Sequence, residues 1–276
     1  MGRIQSPSSI NTFKQCPRKY FYSYILRLPR STNIHCLRGN IVHEVLEEFF
    51  NINLDGVNET NFTPRISSHL KGLFNMKWDK NKKALNELNM NPEELQFYYQ
   101  DSLMMIANWA NTIIKRIHNH METTNFQEAF TQIKPDLIEQ KFSSDFYKVM
   151  GYIDYIHTKD GKVKVMDYKT SKSPDMKPEY RLQLGIYALL YEEKFGHLPD
   201  EVGLWILKFG EQSLPVTEDL IKDAKFEIEQ IHLSTETNEI KDYPKKTSPL
   251  CKYSSGQCEF YDHCFGLKTE ISERNE

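Results

Sequence analysis

Apolar residues recur at helical spacing through the first half of the chain. Ser6 can cap a first helix and Pro7 suits its first helical position. The same spacing predicts three further helices, over 37–51, about 65–88 and about 91–120. Asn91-Pro92-Glu93-Glu94 has the cap, proline and acidic residues that open the last of these.

The pattern changes to short strand-like runs after Thr131. Three strands are predicted over 136–142, 147–157 and 162–168, with Asp160-Gly161 as the hairpin turn between the last two. A helix over 178–195 ending at Gly196, a strand over 202–209 and a helix over 218–240 complete the order. This order predicts a mixed α/β core with a central sheet flanked by helices and a helical N-terminal part.

The length of 276 residues is compatible with one large domain. We expect a single domain over 1–276, with a helical region at about 37–130, an α/β core at about 131–240 and a cysteine-rich loop at 243–266. The chain is 39% hydrophobic and 12% aromatic, which is typical of a globular protein. No apolar run is long enough for a membrane span and the first residues lack a secretory pattern, so a cytoplasmic protein is expected.

Charge is unevenly distributed although the net charge is only −3. The first 43 residues contain no Asp or Glu and seven of the 35 basic residues. They also contain the aromatic residues Phe13, Tyr20, Phe21, Tyr22 and Tyr24. This segment could bind phosphates and unstacked bases, or it could be an ordinary basic surface whose aromatic residues belong to the core.

Two acidic residues face each other if Asp160-Gly161 occupies the centre of a two-residue turn. Lys159 then pairs with Lys162, and the same register places Asp154 opposite Asp167. Facing carboxylates, roughly 4.5–5.5 Å apart at Cβ, destabilise a sheet unless a divalent cation binds between them. Lys169 would point to the same side as Asp167, where an ammonium can hold a phosphate and stabilise developing charge.

Four further residues are candidates for the same site, each with an ordinary alternative. Gln183 and Tyr187 share one helix face. A glutamine in this position is more often a solvated side chain, and a tyrosine is more often part of the core. His43 lies on an apolar helix, where a histidine is usually structural. Glu139 could be a third acidic group or a charge on an edge strand.

Several of these residues lie in motifs that resemble one family. Gly39-x-x-x-His43, Gly151-Tyr152-Ile153-Asp154, Asp167-Tyr168-Lys169-Thr170 and Gln183-Leu184-Gly185-Ile186-Tyr187 occur in this order. Together with the opening Ser6–Ile10 and Cys16–Tyr20 segments, they resemble the RecB-like nucleases of the PD-(D/E)XK superfamily. The resemblance covers nearly the whole chain, least of all residues 52–130.

The resemblance implies a restriction-endonuclease-like core and a role for each matching residue. His43, Asp154, Asp167 and the main-chain carbonyl of Tyr168 would bind Mg²⁺ or Mn²⁺. Lys169 would be the catalytic lysine, acting with Asp154 and Asp167. Gln183 and Tyr187 would contact the nucleic-acid strand, and Glu139 would be an accessory acid.

Five cysteines are present, and no two of them form a C-x-x-C pair. A subset of RecB-like nucleases holds an iron–sulfur cluster with one cysteine near the N-terminus and three near the C-terminus. By this resemblance Cys16, Cys251, Cys258 and Cys264 would hold a structural [4Fe–4S] cluster, although six residues separate Cys251 from Cys258 where the family typically has two. Zinc is the alternative occupant, and Cys36 is expected to be buried.

The expected function is a metal-dependent DNA nuclease, an exonuclease on single strands or DNA ends in repair and recombination. No G-x-x-x-x-G-K-[ST] motif is present, so a helicase or another repair or CRISPR protein would be its partner. A non-catalytic DNA-binding or assembly subunit and a duplex-cutting endonuclease are the alternatives. The sequence leaves open the direction of digestion, the choice between DNA and RNA, and the oligomeric state.

Overall fold

A computed structural model describes residues 3–253 and 256–266. Residues 1–2, 254–255 and 267–276 of the predicted domain, including part of the predicted cysteine-rich loop, lie outside the described residues. Helices precede the sheet, as predicted: α1 (Pro7–Gln15), α2 (Pro17–Tyr20), a π-helical turn (Phe21–Ile25), α3 (Ile34–Phe49), α4 (Phe62–Lys80), α5 (Lys82–Glu87), α6 (Pro92–Met121) and α7 (Phe126–Ile133).

The second half forms the sheet and its covering helices. Its elements are β1 (Leu137–Ser144), β2 (Val149–Lys159), β3 (Lys162–Lys169), α8 (Pro178–Phe195), β4 (Glu201–Ile206), β5 (Gly210–Pro215), α9 (Glu218–Ser234), a 3₁₀ turn (Ile240–Asp242), β6 (Lys252–Tyr253), β7 (Gly256–Gln257) and α10 (Tyr261–Phe265). The predicted strand over 202–209 ends at Ile206, and the predicted helix over 218–240 ends at Ser234. Strand β5 and helix α7 were not predicted.

The central sheet has five strands in sequence order, β1 to β5. Neighbouring strands are antiparallel except β3 and β4, which are parallel and are joined across one sheet face by α8. Parallel neighbours need such a crossover, and a helix is its usual form. The mixed α/β class with helices around a central sheet is therefore confirmed.

Both faces of the sheet are covered by apolar side chains. One face contributes Tyr155, Met166, Tyr168 and Trp205 to a core shared with α3, α4, α6 and α7. The opposite face packs against α8 and α9 and against Ile10 of α1. The helical region and the sheet therefore share a core, and helix α3 is held next to β2 and β3. No helix in the described part of the chain has the length and apolarity needed to cross a membrane.

A third core joins the two ends of the chain. Tyr20, Phe21 and Tyr22 are buried and pack against Tyr243 and Phe260. The interpretation that these N-terminal aromatics stack on bases is therefore wrong for the three of them. Their rings stabilise the fold, whereas the basic residues around them remain near the surface.

The β2–β3 hairpin has the predicted turn. Asp160 and Gly161 both have positive φ, 52° and 75°, as a two-residue hairpin turn of this type requires. Lys159 pairs with Lys162, and the pairing continues to Tyr155 with Met166. The next positions in this register are Asp154 and Asp167.

Candidate active site

Three acidic residues lie side by side on neighbouring strands, within the β1–β2 pairing and just beyond the end of the β2–β3 pairing. The pairs Ile138–Tyr155 and Gln140–Ile153 flank Glu139 and Asp154, which makes these two acids neighbours across β1 and β2. Glu139 has a φ of 46°, which is rare for a residue other than glycine and is not strand geometry. Regular backbone pairing is thus interrupted where the carboxylates meet.

Asp154 is fixed by a main-chain donor instead of a ladder partner. Its Oδ2 accepts a hydrogen bond of 2.5 Å from the backbone N–H of Tyr168 on β3. Its other oxygen, Oδ1, is 3.3 Å from Nδ1 of His43 on α3. Asp154 therefore joins the helical region to the strand that carries Asp167 and Lys169.

Asp167, Lys169, Gln183 and Tyr187 form one hydrogen-bonded network. The Lys169 ammonium is 2.7 Å from Oδ2 of Asp167 and donates to Oε1 of Gln183 at 2.8 Å. Nε2 of Gln183 donates to Oδ1 of Asp167 at 2.8 Å and to the Tyr187 hydroxyl at 2.7 Å. The predicted neighbours on α8 thus hold the lysine and the aspartate in a fixed relation.

The acids have different proton affinities because their surroundings differ. Burial, together with the neighbouring Asp154 and Glu47 carboxylates, raises the pKa of Glu139 to about 7. Burial also raises the pKa of Asp167 against the opposing effect of Lys169. For Asp154, burial favours the neutral acid, but His43 and the Tyr168 N–H outweigh it and lower the pKa.

His43 responds to the same charges. Burial alone would lower the pKa of its imidazole, but the Asp154 carboxylate beside it outweighs this effect and raises the pKa. The ring also meets the Tyr168 ring edge to face at a centroid distance of 6.1 Å. His43 is therefore part of the acidic cluster and not a separate core histidine.

The donor set is compatible with a divalent cation. No three His, Cys, Asp or Glu side chains within 3–253 and 256–266 are already arranged as an ion site. However, Oδ2 of Asp167 is buried and accepts no hydrogen bond of good geometry, although the Lys169 ammonium is close. Carboxylate oxygens gathered in this way are the ligands that hard divalent cations prefer.

A buried ion cluster connects this site to the helical region. Arg38 on α3 and Lys208 after β4 both bind the Asp101 carboxylate on α6. Arg38 also donates from Nη2 to the carbonyl of Thr170, 3.4 Å away and next to Lys169 in the chain. The cluster therefore holds α3 and α6 against the end of β3.

Four cysteines line a second cavity, of about 390 Å³, between the two ends of the chain. They are Cys16, Cys251, Cys258 and Cys264, the four that the sequence predicted to lie together. Burial raises the pKa of Cys258 and Cys264, and the nearby Cys16 thiol raises both further. Cys36 is exposed, so the expectation that it is buried was wrong.

A comparison with family models bears on the identity of this arrangement. The model of the PD-(D/E)XK nuclease superfamily matches residues 5–265. The chain belongs to the PD-(D/E)XK nuclease superfamily. The match includes the acidic cluster, Lys169 and all four cysteines of the second cavity.

Two known proteins are similar to this PD-(D/E)XK nuclease. The CRISPR-associated exonuclease Cas4 of Francisella tularensis subsp. novicida is 26% identical over 173 residues, which cover 60% of this chain and 85% of Cas4. A protein of Eubacterium rectale, solved as a candidate exonuclease, has a TM-score of 0.51 and 13% identity over 98% of this chain and 91% of its own. At that identity, the second likeness concerns the fold alone.

Sequence reasoning missed residues in and around the candidate site that no local motif marks. Glu47 lies four residues after His43, on the same face of α3, and its carboxylate raises the pKa of Glu139. The i, i+4 spacing from His43 is the signal that could have identified Glu47. Arg38, Asp101 and Lys208 are distant in sequence, and nothing local pairs them.

Proposed function

We propose that this PD-(D/E)XK nuclease is a divalent-metal-dependent deoxyribonuclease with Asp154, Asp167 and Lys169 as its catalytic residues. The observation that carries the proposal is the network around Asp167. The buried Asp167 carboxylate lies 2.7 Å from the Lys169 ammonium and beside the second buried carboxylate, Asp154. Such a grouping is costly in a core and is best explained by a cation and a phosphate that bind there.

Each residue has a definite task in this proposal. His43, Asp154, Asp167 and the Tyr168 carbonyl would hold Mg²⁺ or Mn²⁺. The bound ion would supply Lewis-acid chemistry, which lowers the pKa of water and neutralises phosphate charge. Lys169 donates hydrogen bonds to the scissile phosphate, and its ammonium stabilises the charge that develops there. Gln183 and Tyr187 keep Lys169 and Asp167 in register and contact the strand.

We further propose that the substrate is single-stranded DNA or a DNA end, and that the enzyme is an exonuclease. The similar Cas4 protein bears the name of a CRISPR-associated exonuclease, which supports this choice. A repair, helicase or CRISPR protein would be the partner that delivers the DNA.

The four cysteines would hold a [4Fe–4S] cluster in this proposal, with zinc as the alternative. Four thiols that line one cavity provide a suitable donor set for either group. The group would be structural, because it would tie residues near both ends of the chain together and restrict the unfolded state. We infer that the whole matched region then forms one nuclease domain.

The proposal is tested with Lys169→Ala and Asp167→Ala. We expect each change to reduce manganese-dependent cleavage of an end-labelled strand by at least about 10²-fold, because each removes a group that acts on the transition state. Lys222→Ala, on the exposed face of α9, is the matched control and should cleave normally. Undiminished cleavage by both purified variants would reject the assignment.

A second substrate distinguishes the kind of nuclease. An exonuclease should degrade a linear strand and leave a covalently closed single-stranded circle intact. Cleavage of the circle would instead indicate an endonuclease. Folded protein that binds DNA but cleaves neither substrate with either Mg²⁺ or Mn²⁺ would indicate a non-catalytic subunit.

A further inference from the structure

Three aromatic rings lie together on the helical region beside the active site. Tyr98 on α6 is at their centre, with His35 of α3 at a centroid distance of 5.3 Å and Phe97 at 5.4 Å. Tyr98 is partly buried, whereas His35 is exposed and the Phe97 side chain is 58% exposed. His35 and Phe97 thus present ring surface to solvent on either side of the partly buried Tyr98.

Two cations lie near these rings, the buried Arg38 and the exposed Lys172. The Arg38 guanidinium lies 5.2 Å from the centre of the Tyr98 ring. The pKa of His35 is lowered first by partial burial and then by Arg38 and Lys172, which locates both cations near this imidazole. The exposed Lys172 thus offers a polyanion a cation beside the exposed His35 and Phe97 rings, whereas Arg38 is buried against Asp101 and contacts only the Tyr98 ring.

The same contacts place the rings close to the proposed catalytic lysine. Arg38, which touches Tyr98, also donates to the carbonyl of Thr170, the residue after Lys169. His35 precedes His43 by eight residues on the same helix, a rise of about 12 Å. A strand whose phosphate lies at Lys169 therefore reaches the rings within a few nucleotides.

We propose that His35, Phe97 and Tyr98 form a stacking surface for the unstacked bases of single-stranded DNA held in the active site. This inference rests on the proposed function and explains how the same site would select single-stranded over double-stranded DNA. Bases of a duplex are already stacked on each other, so their faces cannot reach these rings. The N-terminal aromatics, in contrast, have their rings buried in the third core and cannot serve this purpose.

The stacking surface is tested by comparing the binding of a strand that has bases with the binding of a strand that has only the charged backbone. In a Lys169→Ala background, which prevents cleavage, we would measure the affinity for a labelled oligothymidine and for an abasic strand of equal length and charge. Stacking contributes roughly 1–3 kcal/mol per base, so the oligothymidine should bind at least about fivefold more tightly. Equal affinity for the two strands would overturn the proposal, even before any of the three aromatic residues is substituted.

Substitutions then assign the effect to these rings. His35→Ala with Phe97→Ala should weaken oligothymidine binding about fivefold or more and leave abasic binding unchanged. Phe97→Trp should retain tight binding because it keeps a ring. Phe226→Ala is the matched control, since Phe226 on α9 is equally exposed, at 58%. Equal weakening of both strands by the double variant would refute stacking.

Failure of this inference can be distinguished from failure of the proposed function. Manganese-dependent cleavage by the unmodified chain tests the nuclease proposal, whereas the binding ratio tests the surface. Cleavage together with a ratio near one would reject only the stacking surface. A high ratio that the double variant abolishes, without cleavage by the unmodified chain, would reject only the nuclease proposal.

Discussion

At the scale of single residues, Gln183 determines how the charges of the site are arranged. Its amide oxygen accepts from Lys169, and its amide nitrogen donates to Asp167 and Tyr187. The two ends of one amide thus satisfy an ammonium and a carboxylate at once, which fixes the amide orientation. No other neutral side chain except asparagine has both groups, and asparagine is one methylene shorter.

We predict that Gln183→Ala lowers the maximal cleavage rate by about 10²-fold, because misplacing a catalytic group by about an ångström has an effect of this size. Single-turnover rates at saturating DNA would measure it, and the melting temperature should change little. The control is Gln230→Ala, an exposed glutamine on α9. If Gln183→Ala cleaved at the normal rate, Lys169 would be held by other contacts.

Gly151 is required for the position of Tyr187. A Cβ at residue 151 would lie 2.8 Å from Cε1 and 3.3 Å from Cδ1 of the Tyr187 ring, too close for either atom to remain in place. We predict that Gly151→Ala reduces stability by about 1–3 kcal/mol, as overpacking usually does. It should also reduce cleavage, because the displaced hydroxyl is a partner of Gln183 and Asp167.

Gly72 offers the opposite case in the same chain. It lies inside α4, and no atom outside the helix backbone and its chain neighbours lies within 4 Å of the position that a Cβ would occupy, so Gly72→Ala adds helix propensity without a clash. Stability should rise by about 0.5–1 kcal/mol with unchanged cleavage. Urea unfolding of Gly151→Ala and Gly72→Ala measures both changes in stability. Equal changes in the free energy of unfolding would contradict the packing argument.

At the scale of elements, the Arg38–Asp101–Lys208 cluster holds α3, α6 and the end of β4 together. Asp101 is buried, and burial alone would raise its pKa. The hydrogen bonds from Lys208 and Arg38 outweigh that effect and lower the pKa below its usual value. Because the folded pKa is the lower one, the carboxylate stabilises the fold above its unfolded pKa of about 3.9.

We predict that Asp101→Asn destabilises the chain by about 3–5 kcal/mol at pH 7, since it leaves the buried Arg38 and the partly buried Lys208 without their counter-charge. The difference from the unmodified chain should begin to shrink as pH falls below about 4, because the Asp101 carboxylate is then protonated in the unfolded chain before it is protonated in the folded one. Denaturant unfolding at pH 7 and pH 3.5 measures both values. A difference that does not depend on pH would mean that the carboxylate charge is not what holds these elements.

Elements were predictable where a local signal determines them. The Asp160-Gly161 turn determines the hairpin register, and Gly196 marks the end of α8. Strand β5 was missed because Gly210–Pro215 has no apolar alternation, and pairing with β4 forms it. Helix α9 ends at Ser234, before the predicted boundary, and the next residue, Thr235, is buried and accepts a hydrogen bond from Gln5, which is distant in sequence.

At the scale of the whole molecule, the site was predictable only in part. Asp154, Asp167 and Lys169 lie on one hairpin, so turn chemistry alone is enough to bring them together. His43, Glu47 and Arg38 come from another part of the chain, and tertiary packing of α3 against the sheet positions them. The burial of Tyr20 to Tyr22 likewise depends on Tyr243 and Phe260, which no local pattern could pair with them.

The cysteine cavity lies where residues 15–33 meet residues 246–265. A group bound by Cys16 and Cys251 would close a loop that includes almost the entire chain. Cross-links over long loops typically contribute about 2–5 kcal/mol, because they reduce the freedom of the unfolded state. The bound group should therefore affect stability far more than it affects the chemistry at Lys169.

We predict that Cys251→Ser lowers bound metal per chain and reduces the melting temperature by about 5–15 °C, the shift that a loss of this size produces in a chain of this length. Cys36→Ser is the matched control, because Cys36 is exposed and lies outside the cavity. Anaerobic purification, metal analysis and the visible absorption spectrum distinguish iron–sulfur from zinc. Full metal content in Cys251→Ser would exclude Cys251 as a ligand. Six residues separate Cys251 from Cys258, where the family typically has two, so this variant is the strongest test of the four-cysteine assignment.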